Sequence, residues 1–473
     1  MQGYFESKEF RQLLGSYETA QQQGTSLFLD SEQLTDIAEY YHWMGRTNDA
    51  IDVIDYALDI YEGATAPLVL KARITLLSLD DAEEAMSLAE QIEDKSDFDY
   101  YYIKAEILIA VNKANEADLF LETCLDQIMK SETTDFMLDT ATLFADYEQT
   151  ALARKWLDRI EDKDMADYRE TLGRVCYFEH QYEESIRLFE GLIDDNPYST
   201  YYWDMLACVH LAMDNASEAI TSSEYAIAIS PDDEDALLYK AQALMRLKNY
   251  DAAIEFFDRY SQVRPCNIDG WLNAGLCHVL INRYKEGIAC LLEAETKSEQ
   301  YNSDRLMEIY QELVFAYSHE HTIDKALEYV SKMEELYGCD KDDTMVLRGH
   351  VFMENDMQEK AQQCYQKAID NSLCSPTILL RVAISLYDNN FLDIAYSILQ
   401  GMTSIDRRSL PQTYAYLAVC AYDLDMREDY LTYLSMAAEY DPATAKDVLE
   451  HLFPDGMQPQ DYYDYAKMNH LKI

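Results

Sequence analysis

The chain is poor in the residues that punctuate a fold, with 14 glycines and 9 prolines in 473 residues. Both counts lie well below average usage, which leaves little of the turn chemistry that hairpins need and nearly excludes an all-β fold. Cations are scarce too: 38 Lys and Arg face 88 Asp and Glu, a formal charge of −50. Nucleic acids and anionic membrane surfaces are recognised mainly by Lys and Arg, so the chain is expected to bind neither. No run of about 18 apolar residues occurs that would span a bilayer, so membrane insertion is not expected. The opening MQGYFESKEF lacks the basic start and apolar stretch of a secretory signal and the second-position glycine of a myristoylated chain. A cytoplasmic location is the expectation.

Signatures of chemistry are missing as well. There is no Gly-rich phosphate loop, GxSxG, HExxH or kinase set. The ten cysteines are scattered with no CxxC, and most fall inside helical patterns, so they read as buried reduced thiols. His319-Glu320-His321 is the one close histidine pair, and no further ligand stands at a suitable spacing for zinc. His210 and His278 fall in a column where large side chains pack, and read as satisfied core histidines. The acidic clusters Pro231-Asp232-Asp233-Glu234-Asp235 and Asp340-Lys341-Asp342-Asp343 lack the glycine and closing glutamate of a calcium loop. They stand before helices, where carboxylates cap free N–H groups and complement the helix dipole. No catalytic residue, metal or cofactor is expected, and the chain reads as no enzyme.

What the chain has is apolar content, 48% hydrophobic with 12% aromatic, enough to fold despite its charge. It also repeats. Units beginning at Ala166, Thr200, Glu234 and Ile268 are 34 residues apart; their eighth residues are Gly173, Ala207, Ala241 and Gly275, and their twentieth are Ser185, Ala219, Ala253 and Gly287. If about a quarter of residues are Gly, Ala or Ser, eight small residues from eight arise by chance on the order of once in 10⁵. Trp203, Leu237 and Trp271 share the fourth column, Phe189, Phe257 and Leu291 the twenty-fourth, and Pro197, Pro231 and Pro265 close three units. Each unit carries two apolar stripes of helical period split by a break such as Leu247-Lys248-Asn249-Tyr250-Asp251, which predicts two antiparallel helices. The small residues mark where the two helices cross, because a site without a large side chain lets the backbones approach closely.

This pattern resembles the tetratricopeptide repeat (TPR), and looser copies carry the resemblance over most of the chain, as about twelve units. Their small pairs run from Ala38 with Ala50 and Ala72 with Ala85 to Gly349 with Ala361 and Ala383 with Ala395. The resemblance implies an all-α fold, an α-solenoid in which stacked antiparallel helix pairs wind into a right-handed superhelix. Departures are expected at Val314 and Tyr430, too large for a tight crossing, and between Leu68 and Ile92, where the inter-helix turn reads as shortened. Residues 1–29 are expected to form an N-terminal cap around one helix over 5–22, with Phe10, Leu13, Leu14 and Tyr17 on one face. Repeats follow over 30–300, best matched at 166–300, and over 301–442 after a longer connection or bend at 297–303. Residues 443–473 are expected to form C-terminal capping helices beyond Pro454 and Pro459.

The resemblance also places the second, fifth, sixth, ninth, twelfth and thirteenth residues of each unit on the concave face. Here these include Arg174, Tyr177 and Phe178, then Tyr201, Asp204 and Met205, then Asp235, Tyr239, Gln242 and Arg246, then Asp269 and Asn273. Further on lie Glu312, Phe315, His350, Tyr387, Tyr416 and Tyr422. Tyrosine offers large area at low entropic cost, which suits recognition of a peptide or helix, although with 38 tyrosines most must pack between neighbouring repeats. The family's clamp for acidic chaperone C-termini does not carry over: Asn273 fits one slot, but Leu238 and Gln242 stand where Lys and Asn belong, and Gln311 and Glu312 where cations belong. The implied function is a non-enzymatic scaffold or adaptor that binds a protein or peptide segment, basic or helical, in an acidic Tyr-rich groove. The alternative is a structural solenoid that self-associates, as a homo-oligomer, through its ends.

Overall fold

The computed structural model describes residues 2–5, 7–25, 27–301, 305–405, 410–454 and 456–469. Among them every element is helical and none is a strand. The four best-matched units appear as the pairs Ala166–Phe178 with Tyr182–Asp195, Thr200–Ala212 with Ala216–Ile229, Glu234–Arg246 with Tyr250–Val263, and Ile268–Leu280 with Tyr284–Tyr301. The first helices therefore begin where the 34-residue frame puts them. The chain is an all-α solenoid.

The pairs close through one device. Three residues join the helices of each pair, and the middle one has positive φ: Gly45, Asp80, Asn112, Glu148, His180, Asp214, Lys248, Asn282, His321, Asp356, Asn390 and Asp425. These twelve turns mark twelve repeats. A left-handed residue at a helix end directs the next N–H back onto the helix's free carbonyls, as Gln181 N–H does to Cys176 O at 2.8 Å and Phe391 N–H to Leu386 O at 2.8 Å. The turn at Leu79–Asp81 is thus as long as the others, and the expected shortening falls instead in the second helix, Ala82–Ala89, of 8 residues.

The small columns sit at the crossings as expected. Ala207, Ala219, Ala241 and Ala253 are fully buried, and so are Ala38, Ala50, Ala72 and Ala85. Ser185 Oγ donates to Gly173 O at 2.8 Å, and a Cβ on Gly287 would stand 3.1 Å from Gly275 O. Tyr430 does not splay its repeat. It is buried to 1% exposure with its ring 5.3 Å from that of Tyr422, the void between the helices being large enough to hold it.

Contacts divide the chain into two units, Met1–Asn273 and Ala274–Ile473. In the first, Cys266 Sγ lies 3.7 Å from Trp43 O, and the Arg264 guanidinium 5.1 Å from the centre of the Trp43 ring. The first repeat thereby touches the turn that follows the seventh. In the second, Lys297-Ser298-Glu299-Gln300-Tyr301 continues the helix Tyr284–Tyr301, since the stretch holds no Gly or Pro to stop it. The rest of the expected connection, at 302–303, lies outside the described residues. The N-terminal cap is the helix Lys8–Gln23, started by Ser7 accepting from Phe10 N–H and preceded by the short helix Gln2–Phe5, so the single helix expected over 5–22 is two. At the other end Pro459–Asn469 buries Tyr462, stacked 3.8 Å from the Phe453 ring.

Candidate functional site

First helices of successive repeats set the expected groove residues side by side. In the first unit Arg174 pairs with Asp146, which uses its charge within the repeats, and Tyr201 beside it keeps 36% of its surface exposed. Tyr177 and Tyr239, from alternate repeats, flank the Cys208 thiol between them. Phe178 packs edge-on against Tyr177 at 5.2 Å. Arg246 donates to Leu211 O and lies 3.7 Å from Asp214. Gln242 is half-buried, and Asn273 spends its side-chain amide on Asp269 O at 2.8 Å, within its own helix.

The carboxylates are less well matched. Asp204 is 5% exposed, and its Oδ1 has no hydrogen-bond partner among the described residues. Burial, reinforced by the charges of Asp233 and Asp235, pushes its carboxyl up to about 9. Asp235 is exposed to solvent yet walled by protein, and burial with the charges of Glu234 and Asp233 raises it to about 6. Arg174 and Arg246, the cations among these residues, are both paired.

In the second unit Phe315 meets the His350 ring edge-on at 5.5 Å and 88°. His350 Nδ1 is 2.9 Å from Ser385 Oγ, and burial holds its imidazole below the usual histidine range. Tyr387 donates to Asp423 Oδ2 at 2.8 Å, a bond between neighbouring repeats, and Tyr416 is half-buried near Asp388. Burial and the Glu308 charge push Glu312 up to about 7; burial and Glu354 push Asp388 to about 6. Asp388 is absent from the sequence-derived set, although it is the thirteenth residue of the unit that starts at Pro376 and so falls at a groove position. Cys208 is absent from it too, although it is the ninth residue of the unit that starts at Thr200 and shares the column of Arg174 and Gln242.

The histidines divide. His319 Nδ1 is 2.5 Å from Glu354 Oε1 and His321 Nδ1 2.9 Å from Asn355 Oδ1, so each reaches into the next repeat. His210 departs from the core reading: it is half-buried and its Nδ1 has no partner among the described residues. No group of three or more His, Cys, Asp or Glu among the described residues could hold a metal ion. No described helix is long and apolar enough to cross a membrane.

Residues 342–372 match the tetratricopeptide repeat model, and residues 212–294 match the model described as anaphase-promoting complex, cyclosome, subunit 3. The chain carries tetratricopeptide repeats. As a TPR α-solenoid it has the architecture of protein–protein interaction. It is 21% identical over 225 residues to the BBSome complex member BBS4 of Bos taurus, a match covering 46% of this chain and 41% of that one. The chain thus spans less than half the length of the curated relative it matches. Among solved structures it resembles PilW, a widely conserved type IV pilus biogenesis factor, with a TM-score of 0.38 at 16% identity over 47% of this chain and 98% of that one. MamA from Desulfovibrio magneticus RS-1 gives 0.33 at 17% identity, over 36% and 94%.

Proposed function

We propose that this TPR protein is a non-enzymatic scaffold whose inner face binds a basic segment of another protein. The observation that carries the reading is the state of the inner carboxylates: Asp204, Asp235, Glu312 and Asp388 are all held above the ordinary range, burial being the largest cause. Such groups gain most from an incoming cation, which returns the charged form and replaces lost hydration. Tyr201, Tyr239 and Tyr177 supply the accompanying area. The similar proteins named as a BBSome complex member and an anaphase-promoting complex subunit are parts of multi-protein complexes, which supports a scaffold role.

The test is capture from host lysate at low salt by the wild type and by a folded Asp235→Asn/Glu312→Gln/Asp388→Asn variant, followed by titration of the captured partner. A partner held through a basic segment, lost by the variant and released by salt, supports the reading. A partner held equally by both and indifferent to salt overturns it. The reading of self-association through the ends is tested by mass in solution as concentration rises. Met468→Lys, at a residue 76% exposed on the last helix, is the variant to use, because deleting 443–473 would uncover the core that Tyr462 seals.

A further inference from the structure

The second unit contains a cavity of about 150 Å³ between three consecutive first helices, Leu306–His319, Lys341–Glu354 and Pro376–Asp388. Phe315, Leu347 and Ile384, one from each helix, make much of its wall apolar. Nearly all its polar groups are spent on one another. Arg381 Nε lies 2.8 Å from Asp343 Oδ1, so that cation and that carboxylate cancel. Ser385 Oγ is shared between His350 Nδ1 at 2.9 Å and the Tyr365 hydroxyl at 2.6 Å, and the imidazole, kept neutral by burial, offers no charge.

The exceptions are the uncharged Gln311 amide and Asp388. Among the described residues nothing donates a hydrogen bond to its carboxylate and no cation pairs with it, although solvent reaches it. Its only charged influence is the like charge of Glu354. The cavity is thus an apolar slot with one unspent carboxylate in its lining. A cavity near 150 Å³ holds a group the size of a benzene ring, so several methylenes fit. The complement is a flexible apolar stem tipped by a cation. Guanidinium suits the site better than ammonium, being weakly hydrated and able to give a carboxylate two parallel bonds.

We propose that this cavity takes one arginine side chain of the bound polypeptide, its methylenes against Phe315, Leu347 and Ile384 and its guanidinium on the Asp388 carboxylate. The proposal rests on the reading of the inner face as a site for a basic protein segment, and it names one anchor within that site. It makes the second unit selective for arginine where bulk charge alone would accept any cation.

The test uses full-length protein with labelled Met and Ile methyl groups, titrated with N-acetyl-arginine methylamide and with its citrulline counterpart, which keeps the shape and removes the charge. The Ile384 and Met333 methyls, both at the cavity, are expected to shift with the arginine probe and to respond about tenfold more weakly to citrulline. Asp388→Asn, isosteric and solvent-reached, is expected to remove the difference with a melting temperature no lower than that of the wild type, since it also removes a raised carboxyl; Leu347→Phe, which narrows the slot and keeps the carboxylate, is expected to weaken both probes. Equal response to both probes, or an Asp388→Asn variant that behaves as the wild type, overturns the proposal. An Arg/Ala nonapeptide separates this failure from that of the wider reading. If the peptide binds and moves the Met205 methyl of the first unit with Ile384 unmoved, the acidic inner face stands and the anchor falls. If the peptide binds neither unit, both fall.

Discussion

Tyrosine does work in this protein that lysine and arginine do elsewhere. With 88 acids, 38 basic residues and 38 tyrosines, carboxylates at the seams between repeats accept from a phenol, either alone or, as at Glu106 with Arg73 and Glu295 with Lys332, beside a cation. Tyr102 donates to Asp139 at 3.0 Å, Tyr147 to Glu106 at 3.1 Å, Tyr329 to Glu295 at 2.7 Å and Tyr396 to Asp429 at 2.8 Å. Glu295 is 8% exposed and also holds Lys332 at 2.7 Å, so losing the phenol leaves a buried carboxylate short of one of its two bonds. Tyr329→Phe is expected to cost about 1–3 kcal/mol by urea denaturation, whereas Tyr337→Phe, on a fully exposed ring, is expected to cost nothing measurable. Gly287→Val, with its Cβ 3.1 Å from Gly275 O and 2.9 Å from Val279 Cγ2, is expected to cost about 1–3 kcal/mol by the same measurement. The glycine was legible in the sequence, because a crossing that excludes side chains leaves a column of small residues. The phenol donors were not, because spacing puts a tyrosine at a seam without saying which carboxylate it meets.

At the scale of the element, the repeat depends on its three-residue turn. Eleven of its twelve left-handed positions carry a side chain, at a cost of about 1–2 kcal/mol each for an ordinary residue, and only Gly45 avoids it. Glu148, exposed at φ +56°, makes the test: Glu148→Gly is expected to stabilise by about 0.5–1 kcal/mol, the relief of strain exceeding the added entropy of the unfolded chain. A midpoint of denaturation that stays put or falls would show the strain to be absent. Helix starts were readable from the 34-residue frame and the acidic first turns. Helix lengths were not: Ala82–Ala89 stops early and Tyr284–Tyr301 runs on, each set by what its neighbours bury and not by a breaker in its own sequence. The groove was legible in part for the same reason. Position within a repeat marks Tyr201 and Asp235 as candidates for the inner face, and the same rule covers Asp388. Whether such a residue is free depends on partners from other repeats, as with Arg174 held by Asp146 and Tyr387 held by Asp423.

For the whole molecule the excess charge sets how stability follows pH. Acids whose folded-state value is raised bind more protons in the native chain than in the unfolded one, so stability falls as pH rises between the unfolded value and the folded one. Asp388 and Asp235 at about 6, Glu312 at about 7 and Asp204 at about 9 place that window between about pH 4 and 9. Self-repulsion of the −50 charge acts in the same direction, growing as carboxylates ionise. Glu122, drawn down to about 2 by Arg159 and Lys155, has the opposite sign but acts below pH 4, while His350, His42 and His210, lowered by burial, oppose the trend inside the window and are outweighed by the raised acids. The melting temperature is therefore expected to rise by several degrees as pH is lowered from 8 to 5.5, and to rise with added salt at pH 8. Asp204→Asn removes the group with the highest value, so it should flatten the profile above about pH 7, where Asp204 alone of the four still titrates, and make it shallower below. If stability instead falls on mild acidification, the inner carboxylates are paired in solution and the basic segment loses its electrostatic reason to bind.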